Sequence, residues 1–330
     1  MKKSLLILSA ALLTVCGAPA PDAQAAPFHV KRCVNMGNAL DAPSEGAWGH
    51  TIDVTNFARI RAAGFDTVRL PVRWSAHLDN QNKIDADFLA RVDEVINAAL
   101  AADLNIVLNI HHFEELMEAP GAHTATFLSL WEQLSYYYQD LPVRVYFEVL
   151  NEPNGALRGA GVRRLQAEAI ARIRRHNPDR TLILGGENWS GLDSLDTNLR
   201  TDDPNVVYTF HYYQPFDFTH QNTPWTGPDG PKGVKNWGSA GERREVRAHM
   251  ERAARFARQW GHPVFLGEFG AYEEAPETAR LNYLHSVRSE AEAAGIGWCV
   301  WNFTATFPVF DDQRKIWTPG HLQALGLSER

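Results

Sequence analysis

Eight short apolar, β-rich runs recur along the chain, at residues 32–37, 67–70, 106–110, 145–150, 181–184, 206–210, 264–267 and 297–301. Between them lie stretches with apolar residues at helical spacing and charges elsewhere, clearest at 85–102, 126–139, 162–176, 242–260 and 276–294. A strand can reach a parallel partner only through a crossover, usually a helix, so the alternation predicts a parallel sheet wrapped in helices. The connection after the fifth run is the weakest, with 191–199 offering only a short helix. Residues 214–241, rich in Gly, Pro, Trp and Asn, read as a long functional loop after the sixth strand. An eight-stranded barrel and an open doubly wound sheet share this order, so counting strands does not separate them.

The amino terminus has a different character. Met1-Lys2-Lys3 leads into an apolar run at 5–15 and then the small residues Ala23-Gln24-Ala25-Ala26. That is the charge, length and exit site of a secretory leader, to be cut after Ala25 or Ala26. The run is shorter than the roughly 20 residues a membrane-crossing helix needs, so no membrane association is expected after cleavage and the protein should be secreted or periplasmic. Cys16 stands where a lipoprotein cysteine would, but the bulky Val15 before it argues against lipid attachment. The expected plan is therefore a leader at 1–26 and one domain at 27–330, about the size of a (β/α)₈ barrel. Beyond the leader only Cys33 and Cys299 remain. They fall on the first and last strands, which adjoin in a closed barrel, so a bond is conceivable, although buried thiols are the favoured reading.

The chain carries a formal charge of −7, and losing Lys2, Lys3 and Asp22 makes the remainder more acidic. Binding nucleic acid requires Lys and Arg to neutralise phosphates, so that class of partner is excluded. A neutral polymer suits the balance better, and ten Trp suit a sugar polymer.

What stands at each strand end argues for the barrel. In order come Asn38, Arg69, His111-His112, Asn151-Glu152, Glu187 with Trp189, His211 with Tyr213, Glu268 and Trp301. Any one of these would serve as a strand-end cap. Eight in succession point to a shared opening, because the C-terminal ends of barrel strands converge on one mouth. Glu152 and Glu268 each follow an apolar strand, where a buried charge is costly without a purpose. Glycosidic cleavage supplies the purpose: one carboxyl is protonated to release the leaving oxygen, and the other stays ionised to attack the anomeric carbon. Strands four and seven face each other across the mouth and can set the carboxyl groups about 5–5.5 Å apart, the separation of retaining enzymes. Arg69 and the Tyr213 hydroxyl are expected to hold Glu268 ionised, Glu152 to start protonated, and Asn151 to donate to the sugar 2-hydroxyl.

In combination, Val68-Arg69-Leu70-Pro71-Val72-Arg73-Trp74, His111-His112, Asn151-Glu152-Pro153, His211-Tyr212-Tyr213 and Gly267-Glu268-Phe269-Gly270 resemble glycoside hydrolase family five, the cellulase family. The resemblance runs from about Val34 to Leu327. It implies a retaining endo-β-1,4-glucanase, with Glu152 as acid/base and Glu268 as nucleophile. Arg69, His111, Asn151, His211, Tyr213 and Trp301 match the rest of that family's catalytic pocket, Trp301 as a stacking floor. The stretches 111–117 and 216–221 are similar to a bacterial endoglucanase subgroup, some of whose members cut mannan. By that similarity Asn38, His112, His220 and Trp225 line the cleft, while Asp41 departs from the longer Glu the subgroup can carry.

Trp74, Trp131, Trp260 and Trp298 fall within strand or helix patterns and read as core; Trp48, Trp189, Trp237 and Trp317 fall in or near strand-end loops and are candidates for further sugar subsites. Glu148 is expected to pair with another barrel-lining residue. No cofactor is expected, the partner is a β-glucan or glucomannan, and a monomer is anticipated. The rivals are an endo-β-1,4-mannanase, a carbohydrate-binding barrel without chemistry, and a metal-dependent hydrolase built on the histidines. Against the last, adjacent residues of a strand point to opposite sides, so His111 and His112 are expected to diverge.

Overall fold

The computed structural model describes residues 28–195 and 199–329, so the leader at 1–26 lies outside the described residues. All eight expected strands form in order: β1 (Arg32–Asn35), β2 (Thr67–Leu70), β3 (Asn105–Asn109), β4 (Val145–Glu148), β5 (Leu182–Leu184), β6 (Val206–Tyr212), β7 (Val264–Phe269) and β8 (Gly297–Val300). Each runs parallel to its neighbours, and β8 returns to β1 through Arg32↔Trp298, Cys33↔Cys299 and Val34↔Val300. The sheet is a closed (β/α)₈ barrel rather than an open one, and the described chain forms a single domain. Among the described residues no helix is long and apolar enough to cross a membrane.

The helices follow the sequence pattern: α1 (Asn56–Ala63), α2 (Ala86–Ala101), α3 (Glu114–Glu118), α4 (Pro120–Tyr137), α5 (Ala160–Ile173), α6 (Phe216–Thr219), α7 (Ala240–Trp260), α8 (Glu277–Ala293) and α9 (His321–Ala324). Their ends are chemically marked. The Asp85 carboxylate accepts from Phe88 N at 2.8 Å to open α2, and Ser239 with Glu242 forms a reciprocal cap on α7, which Gly261 closes at φ 71°. Where a short helix is expected after β5, the described residues include a 3₁₀ turn, Leu192–Ser194. The long loop after β6 is partly ordered by α6 and by a 3₁₀ turn, Pro224–Thr226.

Residues alternate along each strand between an outer face against the helices and an inner face lining the barrel. At the bottom the inner face is apolar. Val30, Cys33, Val107, Tyr146, Ile183, Val207, Phe265 and Cys299 form a floor cluster separate from the outer core, and Phe28 packs under it against Tyr146 and Phe265. Two residues further along the strands the inner face turns polar, with Asn35, Asn109, Glu148 and Thr209 all buried and Asn35 and Glu148 bonded to Arg69. The catalytic-type residues stand above that layer. The floor gives them a water-free base, and the polar layer sets their charges.

Of the two readings of Cys33 and Cys299, the favoured one, buried free thiols, is wrong and the bonded one holds. The two residues are register partners facing inward on the floor, their Cα atoms 4.1 Å apart, and their sulfurs are bonded. Sequence identifies neighbouring strands but not which residues of them are opposite. Since the bond closes a loop of 266 residues, replacing both cysteines with Ala should lower stability by about 2–4 kcal/mol, seen as a lower urea midpoint. Turnover at a temperature where both proteins are folded should hardly change, because the bond lies beneath the polar layer.

Candidate active site

The centre of the site is Arg69, fully buried on β2. Its Nε and Nη2 donate to both oxygens of Glu148 at 2.6 and 2.8 Å, which is the pairing expected of Glu148. Nη1 donates to Asn35 Oδ1 at 2.8 Å and to Glu268 Oε1 at 2.7 Å. Nη2 also donates to Asn151 Oδ1 at 2.5 Å, which leaves the Asn151 amide hydrogens free to point at a ligand. One guanidinium thus orients four side chains at the mouth and below it.

Glu268 is not beyond the end of its strand but within β7, which with β6 runs farther than its apolar pattern suggests. A register shift between Phe210 and His211 sets His211 directly opposite Glu268. Gly267 makes room for this, since a Cβ there would come within 2.6 Å of Thr209 Oγ1 and 3.0 Å of His211 Nε2. The second oxygen of Glu268 accepts from the Tyr213 hydroxyl at 2.9 Å. Burial pushes the Glu268 carboxyl up, while His211, Arg69 and the Tyr213 hydrogen bond pull it down. The contacts expected of Arg69 and Tyr213 with Glu268 are therefore formed, although burial outweighs their effect in the net direction.

Among the described residues no Lys or Arg is in direct contact with Glu152. Burial pushes its carboxyl up to about 7, against weaker opposition from Arg69 and His112. Its side chain is 24 % exposed, so it fronts the cleft rather than the barrel interior. His211 Nδ1 lies 2.6 Å from Glu152 Oε1 and 3.7 Å from Glu268 Oε2. Burial drops the His211 imidazole to about 4, so it is neutral, and because its Nε2 is buried without a partner among the described residues the proton belongs on Nδ1, facing the carboxylates. Oxygen atoms of Glu152 and Glu268 and the His211 nitrogen all lie within 4.8 Å of one another.

The remaining expected residues surround this pair. The Trp301 ring lies parallel to His111 at 5.6 Å and packs directly over Gly37, where a Cβ would be 2.4 Å from the ring. The peptide after Trp301 is cis. Asn38 adopts φ 65°, and its Oδ1 accepts from Asn302 at 2.8 Å, leaving its amide hydrogens free. His220 stacks on Phe216 at 4.2 Å and meets Tyr213 at 4.9 Å and Phe307 at 5.6 Å. Trp225, 51 % exposed, joins the same cluster through Tyr272 and Phe307. His112 meets Trp48 edge-on at 5.6 Å, and both remain accessible.

Three expectations need correction. Trp237 and Trp317 are buried, the first against Phe218 and Tyr283, the second against Phe65, Phe303 and Phe310, so they belong to the core and not to the cleft. Trp260 is only partly buried on the outside of the barrel, with the Arg200 guanidinium 4.2 Å above its ring. And His111 and His112 do not diverge: β3 has ended at Asn109, strand alternation no longer applies, and nitrogens of both rings come within 4.8 Å of an Asp41 oxygen. The Asp41 carboxylate accepts from Ala39 N at 2.8 Å, its Oδ2 has no partner among the described residues, and burial pushes it up to about 6. The Asn109 amide faces His111 Nδ1 at 3.1 Å while its oxygen accepts from Val72 N at 3.2 Å, an arrangement that puts the His111 proton on Nε2 and makes that atom a donor rather than a metal ligand. Burial holds His111 well below its usual range and so keeps it neutral.

Several contributors escaped the sequence reading. Asn35 and Asn109 are single amides in otherwise apolar strands, a signal that was present in Arg32-Cys33-Val34-Asn35 and Asn105-Ile106-Val107-Leu108-Asn109. Asn302 carried no such signal. At the other end of the cleft Asn188, Trp189 and Ser190 are three successive left-handed residues, at φ 55°, 55° and 51°. They hold Trp189 59 % exposed beside the Glu152 loop, with Trp189 N donating to Pro153 O at 3.2 Å and the Ser190 hydroxyl to Asn151 O at 2.8 Å.

A family profile described as Cellulase (glycosyl hydrolase family 5) matches residues 23–306. Endoglucanase H of Acetivibrio thermocellus is 30 % identical over 301 residues, which is 88 % of this chain but 32 % of that protein. The chain thus spans about a third of that relative's length. Among solved structures, a hyperthermophilic endo-β-1,4-glucanase in complex with substrate superposes with a TM-score of 0.87 at 39 % identity, covering 90 % of this chain and 97 % of the other. Thermotoga maritima Cel5A in complex with mannotriose does so with a TM-score of 0.86 at 38 % identity and the same two coverages. With the barrel, the paired carboxylates and these matches in agreement, the chain belongs to the cellulase family, glycosyl hydrolase family 5.

Proposed function

We propose that this protein is an exported endo-β-1,4-glucanase that cleaves β-glucan by retaining double displacement, with Glu152 as acid/base and Glu268 as nucleophile. The observation that carries this reading is the closeness of the two carboxyl groups, with oxygens within 4.8 Å. That spacing suits direct attack and a covalent glycosyl-enzyme, whereas an inverting enzyme leaves about 6.5–9.5 Å for a water between them. A glucan stacked on Trp301 presents its glycosidic oxygen to protonated Glu152, while Glu268, held by Arg69 and Tyr213, attacks the anomeric carbon and the aglycone leaves with the Glu152 proton. Formation of the ester removes the negative charge from Glu268. Glu152, now ionised, takes a proton from water as that water breaks the ester. Neutral His211 can donate its Nδ1 proton to whichever carboxylate carries the charge, and the Asn151 amide meets the 2-hydroxyl. No step calls for a metal.

Asn38, His112, His220 and Trp225 extend the cleft on this reading, with Trp48 and Trp189 as further platforms. Every group comes from one chain, so a monomer is sufficient. Export fits the leader-like residues 1–26 and the buried disulfide, a bond that persists in oxidising compartments. A mixed specificity that includes mannan has one observation in its favour: a structurally similar protein is known bound to mannotriose. Initial rates on barley β-glucan, carboxymethyl cellulose, glucomannan and galactomannan separate the readings, and long products early in digestion distinguish internal from terminal cutting.

The first product anomer should be β by NMR; an α product would overturn retention. Glu268→Ala should lose at least about 10⁴-fold in kcat, and Glu152→Gln about 10²–10⁴-fold on unactivated glucan. Because Glu152 must be protonated for the first step and titrates near pH 7, kcat/KM should fall tenfold per pH unit above about 7. With an aryl glycoside that needs no proton to leave, Glu152→Gln should lack that alkaline limb. Glu148→Gln should leave the whole Arg69 charge to Glu268, moving the acid limb of the profile downward. It should also cost about 3 kcal/mol of stability, measured by urea unfolding, by stripping a buried charge of its main partner.

A further inference from the structure

The loop that carries Glu152 contains the chain's single Asn-Gly pair, Asn154-Gly155. We propose that this pair is a self-modification site, at which the loop slowly converts Asn154 to aspartate or isoaspartate and thereby retires the enzyme.

The chemistry needs only water. In solution the Gly155 amide nitrogen loses its proton to base and attacks Asn154 Cγ. The new N–Cγ bond closes a five-membered imide, and the Cγ–Nδ2 bond breaks to release ammonia, which carries off a proton. Water then opens the imide at either carbonyl. Opening at the side-chain carbonyl leaves aspartate; opening at the main-chain carbonyl leaves isoaspartate, the commoner product, with the backbone running through the former side chain.

The local structure is suited to this reaction. Gly155 is exposed, and among the described residues its N–H donates to no acceptor, so nothing competes for the nitrogen. No bulky side chain follows Asn154 to shield it. The same structure fixes both residues. Gly155 has φ 60°, and a Cβ there would sit 3.0 Å from Met117 O, the carbonyl that anchors the loop by accepting from Ala156 N at 2.9 Å. Asn154 Nδ2 donates to the Glu152 carbonyl oxygen at 2.9 Å, a bond that neither product can make. The reactive pair is thus the pair the loop's geometry requires.

The functional half of the proposal rests on the reading of Glu152 as acid/base. A carboxylate in place of the amide sets two acceptors against each other and adds negative charge near Glu152, which raises the affinity of that carboxyl for its proton. Isoaspartate adds a main-chain atom between Glu152 and α5. A displacement of about 1 Å in a catalytic group costs on the order of 10²-fold in rate.

The test ages the full-length enzyme in mildly alkaline buffer, sampling over days for peptide mass spectrometry, isoaspartyl-methyltransferase labelling and activity on barley β-glucan. The expected result is that the peptide spanning 151–157 gains the mass of an amide-to-acid exchange, mainly as isoaspartate, with activity decaying at the same rate constant. Asn154→Gln, whose longer side chain closes the ring far more slowly, should decay several-fold more slowly relative to its own starting rate. Freshly made Asn154→Asp should show its alkaline limb shifted to higher pH. A peptide that stays intact while the urea-unfolded chain reacts would overturn the proposal, because the fold would then protect the pair. Modification without loss of activity, or equal decay in wild type and Asn154→Gln, would overturn its functional half. The mass measurement is independent of what Glu152 does, so a Glu152→Gln variant with undiminished activity would sink the catalytic reading and leave the modification result standing.

Discussion

Arg69 places one positive charge, out of reach of water, in the middle of a barrel whose inner face also carries two carboxylates that touch it and a third just above. Burial opposes the charge, and only Glu148 and Glu268 together hold the guanidinium above its ordinary range. Glu148 takes two donors and fixes the plane of the group; Glu268 takes one. With one cation facing two anions, the cluster already carries a net negative charge before Glu152 is considered. A third ionised carboxylate is then disfavoured both by burial and by Glu148, which is why Glu152 holds its proton to about 7. The division of labour between two chemically identical side chains follows from which of them the arginine touches.

That arrangement also explains why the mouth can be polar on an apolar scaffold. Each strand alternates, so the residue two beyond a floor side chain is another inward one: Cys33 leads to Asn35, Val107 to Asn109, Tyr146 to Glu148 and Val207 to Thr209. The transition from oil to hydrogen bonds takes place within one repeat of the strand. Arg69 is satisfied from this layer on one side and from the mouth on the other.

Much of this was written plainly in the sequence. Eight apolar runs with a polar or aromatic residue at each end read correctly as a barrel and its mouth, because burial on both faces of a parallel strand forces continuous apolar stretches that any interruption betrays. Glu152, Glu268, Arg69, His211 and Tyr213 come together as that reading implied. Register was not legible: the Cys33–Cys299 bond depends on which residues are opposite, and the shift that sets His211 against Glu268 depends on the missing side chain of Gly267. Loops deceived in both directions. Trp237 and Trp317 sit in connecting segments yet fold back into the core, and His111-His112 converge because β3 ends at Asn109, before either histidine, so the alternation rule does not reach them. Asn302, which steadies Asn38, is an ordinary polar residue until the folded chain brings it across the mouth.

The covalent seam between the first and last strands changes the topology of the molecule. With Cys33 tied to Cys299, nearly the whole barrel is a ring rather than a string. A ring has no free end from which to fray, so neither edge strand can peel away alone, and opening must begin by extracting a strand from the middle of the circle. The rim above, where the sugar chain would lie, can then flex and vary in sequence over a base that is locked shut.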